Sequence, residues 1–216
     1  MRSLALRLFL VVVQAADRLR LHQLKRRHPG LRIDPSASTN LAVARFELAP
    51  GAELHIGPGV VTERRRGELC FHVDEGGRIE VGEGTWLRTE VEGIRLVAFA
   101  GACLRLGREC FLNGCQLSAK RGVDVGEGAM IGPGTRVYDS DQHPLDESTA
   151  EQTAEVRIGE FTWIASDVTV LRGSEVGAHS VVGARSLVSG RIEPHTLAYG
   201  VPARARGTVG KRRAFL

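Results

Sequence analysis

The chain is poor in aromatic residues. Phe, Trp and Tyr make up 5% of its 216 residues, so a core has to be assembled from small aliphatic side chains. Its four cysteines, Cys70, Cys103, Cys110 and Cys115, form no CxxC pair and no zinc-finger spacing. They read as reduced, mostly core residues of a cytosolic protein. The apolar run from Leu8 to Val13 is far too short to span a bilayer. No G-x-G-x-x-G follows an N-terminal strand, which argues against a nucleotide-binding βαβ unit. Acid is scarce at both ends. Residues 1–28 hold seven Lys/Arg and one Asp, and residues 203–216 hold five basic groups and no acid. With a total of +4, the body 29–202 is net −7. A weakly acidic body with two basic ends argues against a nucleic-acid binder. Such ends suit a phosphate-bearing ligand or an anionic membrane surface, or are solvated termini.

What the chain has is glycine, 26 residues of it, and a period. Ile158, Ile164, Val170, Val176, Val182 and Val188 recur every six residues. The residue after each is small in five of six cases: Gly159, Ala165, Leu171, Gly177, Gly183 and Ser189. Four positions after each aliphatic stand Thr162, Val168, Ser174, Ser180, Ser186 and Ile192. Upstream, Val125, Ile131 and Val137 keep the phase, and looser copies begin at Ile56, Val81 and Leu106. Neither a helix nor a simple strand repeats every six. One inward aliphatic and a small corner residue per unit read as one side of a three-sided coil, about 18 residues per turn, stacked into a parallel β-helix. The length predicts one domain.

Two segments break the pattern. In residues 1–28, Leu4, Leu8, Val11, Ala15, Leu19 and His22 follow helical spacing, which predicts an amphipathic helix over 1–30. Docking on the body, on a neighbouring subunit or on a membrane face remain open, as does a weak signal peptide. In Val137–Val156 the hexads stop for about fifteen residues rich in acids and hydroxyls, with a single histidine, His143. This predicts a coil over 31–203 with loop 138–155 thrown out of it, and a basic tail over 204–216.

The segment "VRIGEFTWIASDVTVLRGSEVGAHSVVGARSLVSGRIEPHTLAYGVPARARG" resembles the hexapeptide-repeat acyltransferases, particularly galactoside, maltose and serine acetyltransferases and the O-acetyltransferases of surface polysaccharides. The likeness is specific from about Leu104 to Arg206 and looser over 54–103. It implies a left-handed coil with an extended catalytic loop, so the fold expected is a mainly β, left-handed parallel β-helix, to which the spacing in the first residues adds a short N-terminal α-helix. It also implies a homotrimer with sites between adjacent subunits. The loop histidine of the family falls on His143 as general base. The chemistry agrees, because a sugar hydroxyl needs a base that titrates near neutrality. Asp139, Asp141 and Glu147 are nearby acids that could orient it. Asn113, thirty residues before His143, matches the family's acceptor-binding asparagine, and Asp141 is assigned to the acceptor side with it. "TWIAS" places Trp163 and the Ser166 backbone by the donor, with Ala165 where the family has glycine. "VVGARSLVSG" places Ala184 and Ser189 along the pantetheine arm, and "GVPARAR" turns Arg204 and Arg206 toward the adenosine phosphates.

The expected reaction is acetyl transfer from acetyl-CoA to a hydroxyl of a sugar or surface-polysaccharide unit, with no metal. "DSDQHP" looks more like the polysaccharide-modifying members. The location expected is cytoplasmic, with the basic helix able to meet the inner membrane face. Alternatives are N-acetylation of a nucleotide-linked amino sugar and a non-catalytic scaffold, though a scaffold has no use for the His143 loop beside "TWIAS" and "GVPARAR". A zinc enzyme on this coil needs clustered histidines, and His143, His179 and His195 are far apart along the chain.

Overall fold

A computed structural model describes residues 2–214, with side chains from residue 7 onward. Short parallel strands wind into a coil with three faces. Face I stacks eight strands from Leu31–Ile33 to Arg191–Ile192. Face II stacks seven parallel strands from Val61–Thr62 to Thr196–Tyr199 and ends in the antiparallel strand Arg204–Thr208. Face III stacks seven, from Arg45–Leu48 to Leu187–Val188. The chain visits I, II, III and returns to I. In the first coil the 3-10 helix Thr39–Val43 stands in for face II, tied to the coil above through Asn40 Nδ2 donating to the Thr62 carbonyl at 2.8 Å.

The hexad residues form the core. On face I, Ile56, Val81, Leu106, Val125, Ile158 and Val176 lie in register one above another. Leu112, Ile131, Ile164 and Val182 do the same on face II, and Leu96, Leu117, Val137, Val170 and Val188 on face III. All are buried, and each contributes about 1.5–3 kcal/mol of apolar burial. The small residue after each aliphatic has a steric cause. A Cβ on Gly126 would stand 2.5 Å from the Glu160 amide nitrogen, and one on Gly159 would stand 2.5 Å from that of Ala178. Coils can approach to strand spacing at that corner only without side chains. The buried hydroxyls four positions on satisfy backbone: Thr162 Oγ1 donates to Gly177 O at 3.2 Å and Ser174 Oγ to Val188 O at 3.2 Å.

The lower coils are wider. Ile56, Val81 and Leu106 are register partners 25 residues apart, against 18 from Ile158 to Val176. Part of that extra length lies in the five-residue strands Leu69–Val73 and Ile94–Ala98, which broaden face III.

The N-terminal helix α1, Arg2–Arg27, caps the first coil with its second half. Its docked face is not the aliphatic stripe expected from spacing. Leu8, Val11, Ala15, Leu19 and His22 all face outward, and the Leu4 side chain lies outside the described residues. Asp17, Leu21 and Leu24 turn inward instead. Arg64 accounts for the difference, donating to both Asp17 oxygens at 2.8 and 3.2 Å, while Lys25 Nζ donates to the Ile33 carbonyl at 2.7 Å. A buried carboxylate left without its cation is strongly destabilising, so the ion pair sets the helix azimuth. No described helix is long and apolar enough to cross a membrane.

Candidate active site

The interruption leaves the coil after Arg136–Tyr138 on face III and rejoins it at Val156–Ile158 on face I. Val125 and its face I partner Ile158 are 33 residues apart, so about fifteen residues are extruded at the III–I corner. The loop base is tightly held. The buried Asp139 carboxylate accepts from the backbone N–H groups of Lys120, Arg121 and Gly122 at 2.7–2.8 Å. Ala154 N–H donates to the Asp139 carbonyl at 2.8 Å, and Ser140 and Thr153 form an antiparallel bridge. Lys120 Nζ reaches the Gln142 carbonyl at 3.1 Å and both Glu151 oxygens at 2.7 and 2.8 Å, and that bond holds the Glu151 carboxyl below its ordinary range. Arg172 Nε donates to Asp141 Oδ1 at 2.6 Å. At the tip, Ser148 and Thr149 donate to Asp146 and bring its carboxyl down to about 2.

Gln142, immediately before the histidine, sits at φ +69°, a left-handed conformation that turns the chain sharply. His143 follows, exposed, and makes no hydrogen bond or ion pair among the described residues. Of the three neighbouring acids, two are committed elsewhere, and Glu147 forms no ion pair or hydrogen bond among the described residues. Asp139 faces backbone amides and Asp141 faces Arg172.

The expected donor residues occupy other edges. Trp163 stands half-exposed on face II, and Ser166 and Ala184 lie on successive coils at the II–III corner, where Arg185 N–H donates to the Ser166 carbonyl at 3.0 Å. Arg204 and Arg206 lie on the final antiparallel strand at the end of face II, Arg206 over the Tyr199 ring at 5.5 Å. Ser189 is separate, at the III–I corner. Asn113 ends a face II strand at the II–III corner. One chain therefore places the His143 loop and most donor candidates at opposite edges of face III.

Between those edges runs a groove. One hollow of about 120 Å³ includes Arg95, Gly114, Gln116 and Arg136. A second, about 520 Å³, includes His72, Arg95, Phe99, Gln116, Ser118 and Gln142 from the loop. The two share Arg95 and Gln116, so the depression continues from the residue after Asn113 to the residue before His143. Next to the two ends in sequence, Asn113 Oδ1 and Asp141 Oδ2 are buried with no hydrogen-bond partner among the described residues, although neither residue lines the hollows themselves. Such an atom costs about 1–3 kcal/mol unless something binds it. His72 is gripped on both sides, Nδ1 by Glu47 at 2.7 Å and Nε2 by Asp74 at 3.1 Å. Sequence reasoning missed this face, because its residues come from coils that stray from the hexad.

It also missed the C-terminal ladder. His179 and His195, distant along the chain, stack 4.9 Å apart, and Phe161 stacks on His179 at 5.2 Å. The segment after the last strand runs down this I–II corner. His195 Nδ1 donates to the Val209 carbonyl at 3.2 Å, and the Arg212 N–H donates to His179 Nδ1 at 3.1 Å. The Arg212 guanidinium then lies 5.5 Å from the Trp163 ring centre. The basic tail is thus structured as far as it is described.

No family model matches the chain. A Schizosaccharomyces pombe protein named as an acetyltransferase is 33% identical over 168 residues, covering 74% of this chain and 75% of its own. The chain belongs to the hexapeptide-repeat acyltransferases. An Escherichia coli member named for O-acetyl transfer in lipopolysaccharide biosynthesis is 30% identical over 151 residues, covering 62% and 74%. The crystal structure of a polySia-specific acetyltransferase, NeuO, shares the fold at TM-score 0.60 and 18% identity, over 88% of this chain and 84% of that one. As a hexapeptide-repeat acyltransferase, the protein is an enzyme whose coil is a left-handed parallel β-helix.

The loop base should be the most sensitive point of the site. Asp139→Ala orphans three N–H groups that each give about 1.5–3 kcal/mol to a charged acceptor. We expect a loss of about 3 kcal/mol or more in denaturant unfolding, with early proteolysis between 140 and 153. Acid acts on the same loop. The depressed carboxyls of Glu151 and Asp146 contribute above their unfolded values, and the contribution is lost as pH falls through their folded ones, about 2 for Asp146. Native-like proteolysis of Asp139→Ala would contradict this.

Proposed function

We propose that the protein transfers an acetyl group from acetyl-CoA to a hydroxyl of a sugar or surface-polysaccharide unit, with His143 as general base. The observation that supports this most directly is the face III groove, which runs from Gly114 beside Asn113 to Gln142 of the pinned loop beside His143. The His143 imidazole, free of protein partners, takes the hydroxyl proton as the oxygen attacks the thioester carbonyl carbon. A tetrahedral intermediate forms. The C–S bond then breaks, and the imidazolium returns the proton to the departing thiolate of coenzyme A. The Ser166 backbone amide lies on the donor side, where it would meet the developing oxyanion. Trp163 and Ala184 line the donor path, and Arg204 and Arg206 take the phosphates.

Because the loop and the donor residues lie at opposite edges of face III, the complete site joins the loop of one copy to the II–III corner of the next, as in a homotrimer. The α1 helix adds a membrane contact. Leu8, Phe9, Leu10, Val11 and Val12 are 47–67% exposed, and at 100° per residue they cover every azimuth. A helix apolar all round, within a stretch of net charge +6, suits the boundary of an anionic bilayer.

Coenzyme A release, followed by mass spectrometry over a panel of hydroxyl- and amine-bearing saccharides, tests the reaction. His143→Ala should lower kcat by roughly 10²–10⁴ while acetyl-CoA binding is kept. Turnover unchanged in the variant would remove His143 from the mechanism, and transfer to amines alone would make the enzyme an N-acyltransferase. Co-sedimentation with anionic vesicles tests the helix: Val11→Glu with Leu10→Glu should abolish it, and equal sedimentation would exclude the membrane contact.

A further inference from the structure

Ten of the sixteen arginines between residues 31 and 203 are ion-paired. On face I, Arg78 meets Glu53 and Glu80, Arg105 meets Asp124, Arg157 meets Glu155, and Arg191 meets Glu175 and Glu193. Arg88 meets Glu90 on face II, and Arg45 meets Glu47 at the bottom of face III. Arg32, Arg65, Arg66, Arg95, Arg121 and Arg136 are not paired among the described residues, and of these Arg95 and Arg136 alone share a strand column, one on each side of Gln116. Both are exposed on face III, both line the groove, and neither has an ion-pair partner among the described residues. They flank one residue: Gln116 is in register with Arg95 on one side and with Arg136 on the other. Successive strands are about 4.8 Å apart, so the two arginine backbones stand about 10 Å from each other with an amide side chain between. Glu92 lines the hollow and is bonded to neither, and Glu47, lower on face III, feels the Arg95 charge without forming an ion pair with it.

We propose that Arg95 and Arg136, with Gln116 between them, form an anion subsite of the acceptor groove, so that the acceptor is a saccharide carrying a carboxylate or phosphate. The inference rests on the acceptor assignment of this groove made above and names the class of acceptor. Its physical basis is independent of the donor. The body of the chain is net −7, and within it two guanidinium groups are left free side by side on the groove floor. A planar guanidinium binds a carboxylate or phosphate through two parallel N–H···O bonds, and Gln116 can donate to a ring oxygen or hydroxyl in between. Phe99, farther along the groove toward the loop and with Lys120 Nζ 5.1 Å from its ring centre, adds a half-buried aromatic edge to the lining.

The test is equilibrium binding, which needs no turnover. Calorimetry would compare an oligogalacturonide, the neutral oligogalactan of equal length and galactose 1-phosphate, on wild type and on Arg95→Gln/Arg136→Gln. Both positions are exposed, so the variant should keep its thermal midpoint. The expected result is at least about tenfold tighter binding of a charged ligand than of the neutral one, weakened by salt and lost in the variant. Preference for the oligogalacturonide identifies a carboxylate as the source of charge, and preference for the sugar phosphate identifies a phosphate. Equal binding of charged and neutral ligands, charged binding unchanged in the variant, or no binding of any of the three overturns the subsite. Acetyl-CoA titrated separately keeps the two readings apart. Arginine-dependent anion binding without acetyl-CoA binding preserves the subsite and defeats the acetyl-transfer reading, and acetyl-CoA binding with no anion preference does the reverse.

Discussion

Every coil has to seat one aliphatic side chain on the one below it, at strand spacing, with backbone touching backbone at the corner. The rest of the molecule follows from that contact. It demands an aliphatic every sixth residue and almost no side chain after it, as the 2.5 Å clearances at Gly126 and Gly159 show. It keeps the coil too narrow to hold a ligand inside, so function is confined to the outer faces and corners. It also makes the coil rigid, because each aliphatic column is continuous through four or more layers and none can move alone. A scaffold of this kind fixes where an extruded loop begins with little freedom to drift.

That rigidity accounts for the manner in which the loop is fastened. Fifteen residues thrown into solvent contribute little apolar burial and cost backbone entropy. The compensation is polar and concentrated at the base. Three amides of the 120–122 corner converge on the Asp139 carboxylate, and Lys120 and Arg172 each bind a loop acid. The coil thus supplies fixed donors, and the loop supplies anions to fill them. His143 is left outside this network, one residue past a left-handed turn at Gln142. A proton-transfer group has to be positioned by its backbone while its ring stays available to a ligand.

The upper coils were legible because their hexads are uninterrupted, and every aliphatic from Ile158 to Val188 is buried as its spacing requires. The place of the extruded loop was legible for the same reason. What could not be read rests on contacts between residues distant in sequence. Nothing near Asp17 announces Arg64, so the face by which the helix docks on the first coil could not be read from its aliphatic stripe. Asp139 and Asp141 look like ordinary loop acids until the 120–122 corner and Arg172 are brought beside them. Face III was hidden because Arg95, Gln116 and Arg136 stand in one column at separations of 21 and 20 residues, neither of them the 18 of three hexads. His179 and His195 seemed unrelated because a full coil separates them in sequence and a single stacking distance separates them in space.

The central claim is that one chain carries half a site: the base on the III–I corner and the donor wall on face II and the II–III corner. Mixing subunits tests it most directly. His143→Ala and Trp163→Ala, each inactive alone, would be unfolded together, refolded as a mixture and assayed for acetyl transfer. If the site joins two copies, the Trp163→Ala chain supplies an intact histidine to a neighbour with an intact donor wall. Random assembly then restores about a quarter of wild-type activity. If base and donor wall belong to the same chain, every site in the mixture carries one defect or the other, and activity stays at the level of the separate variants.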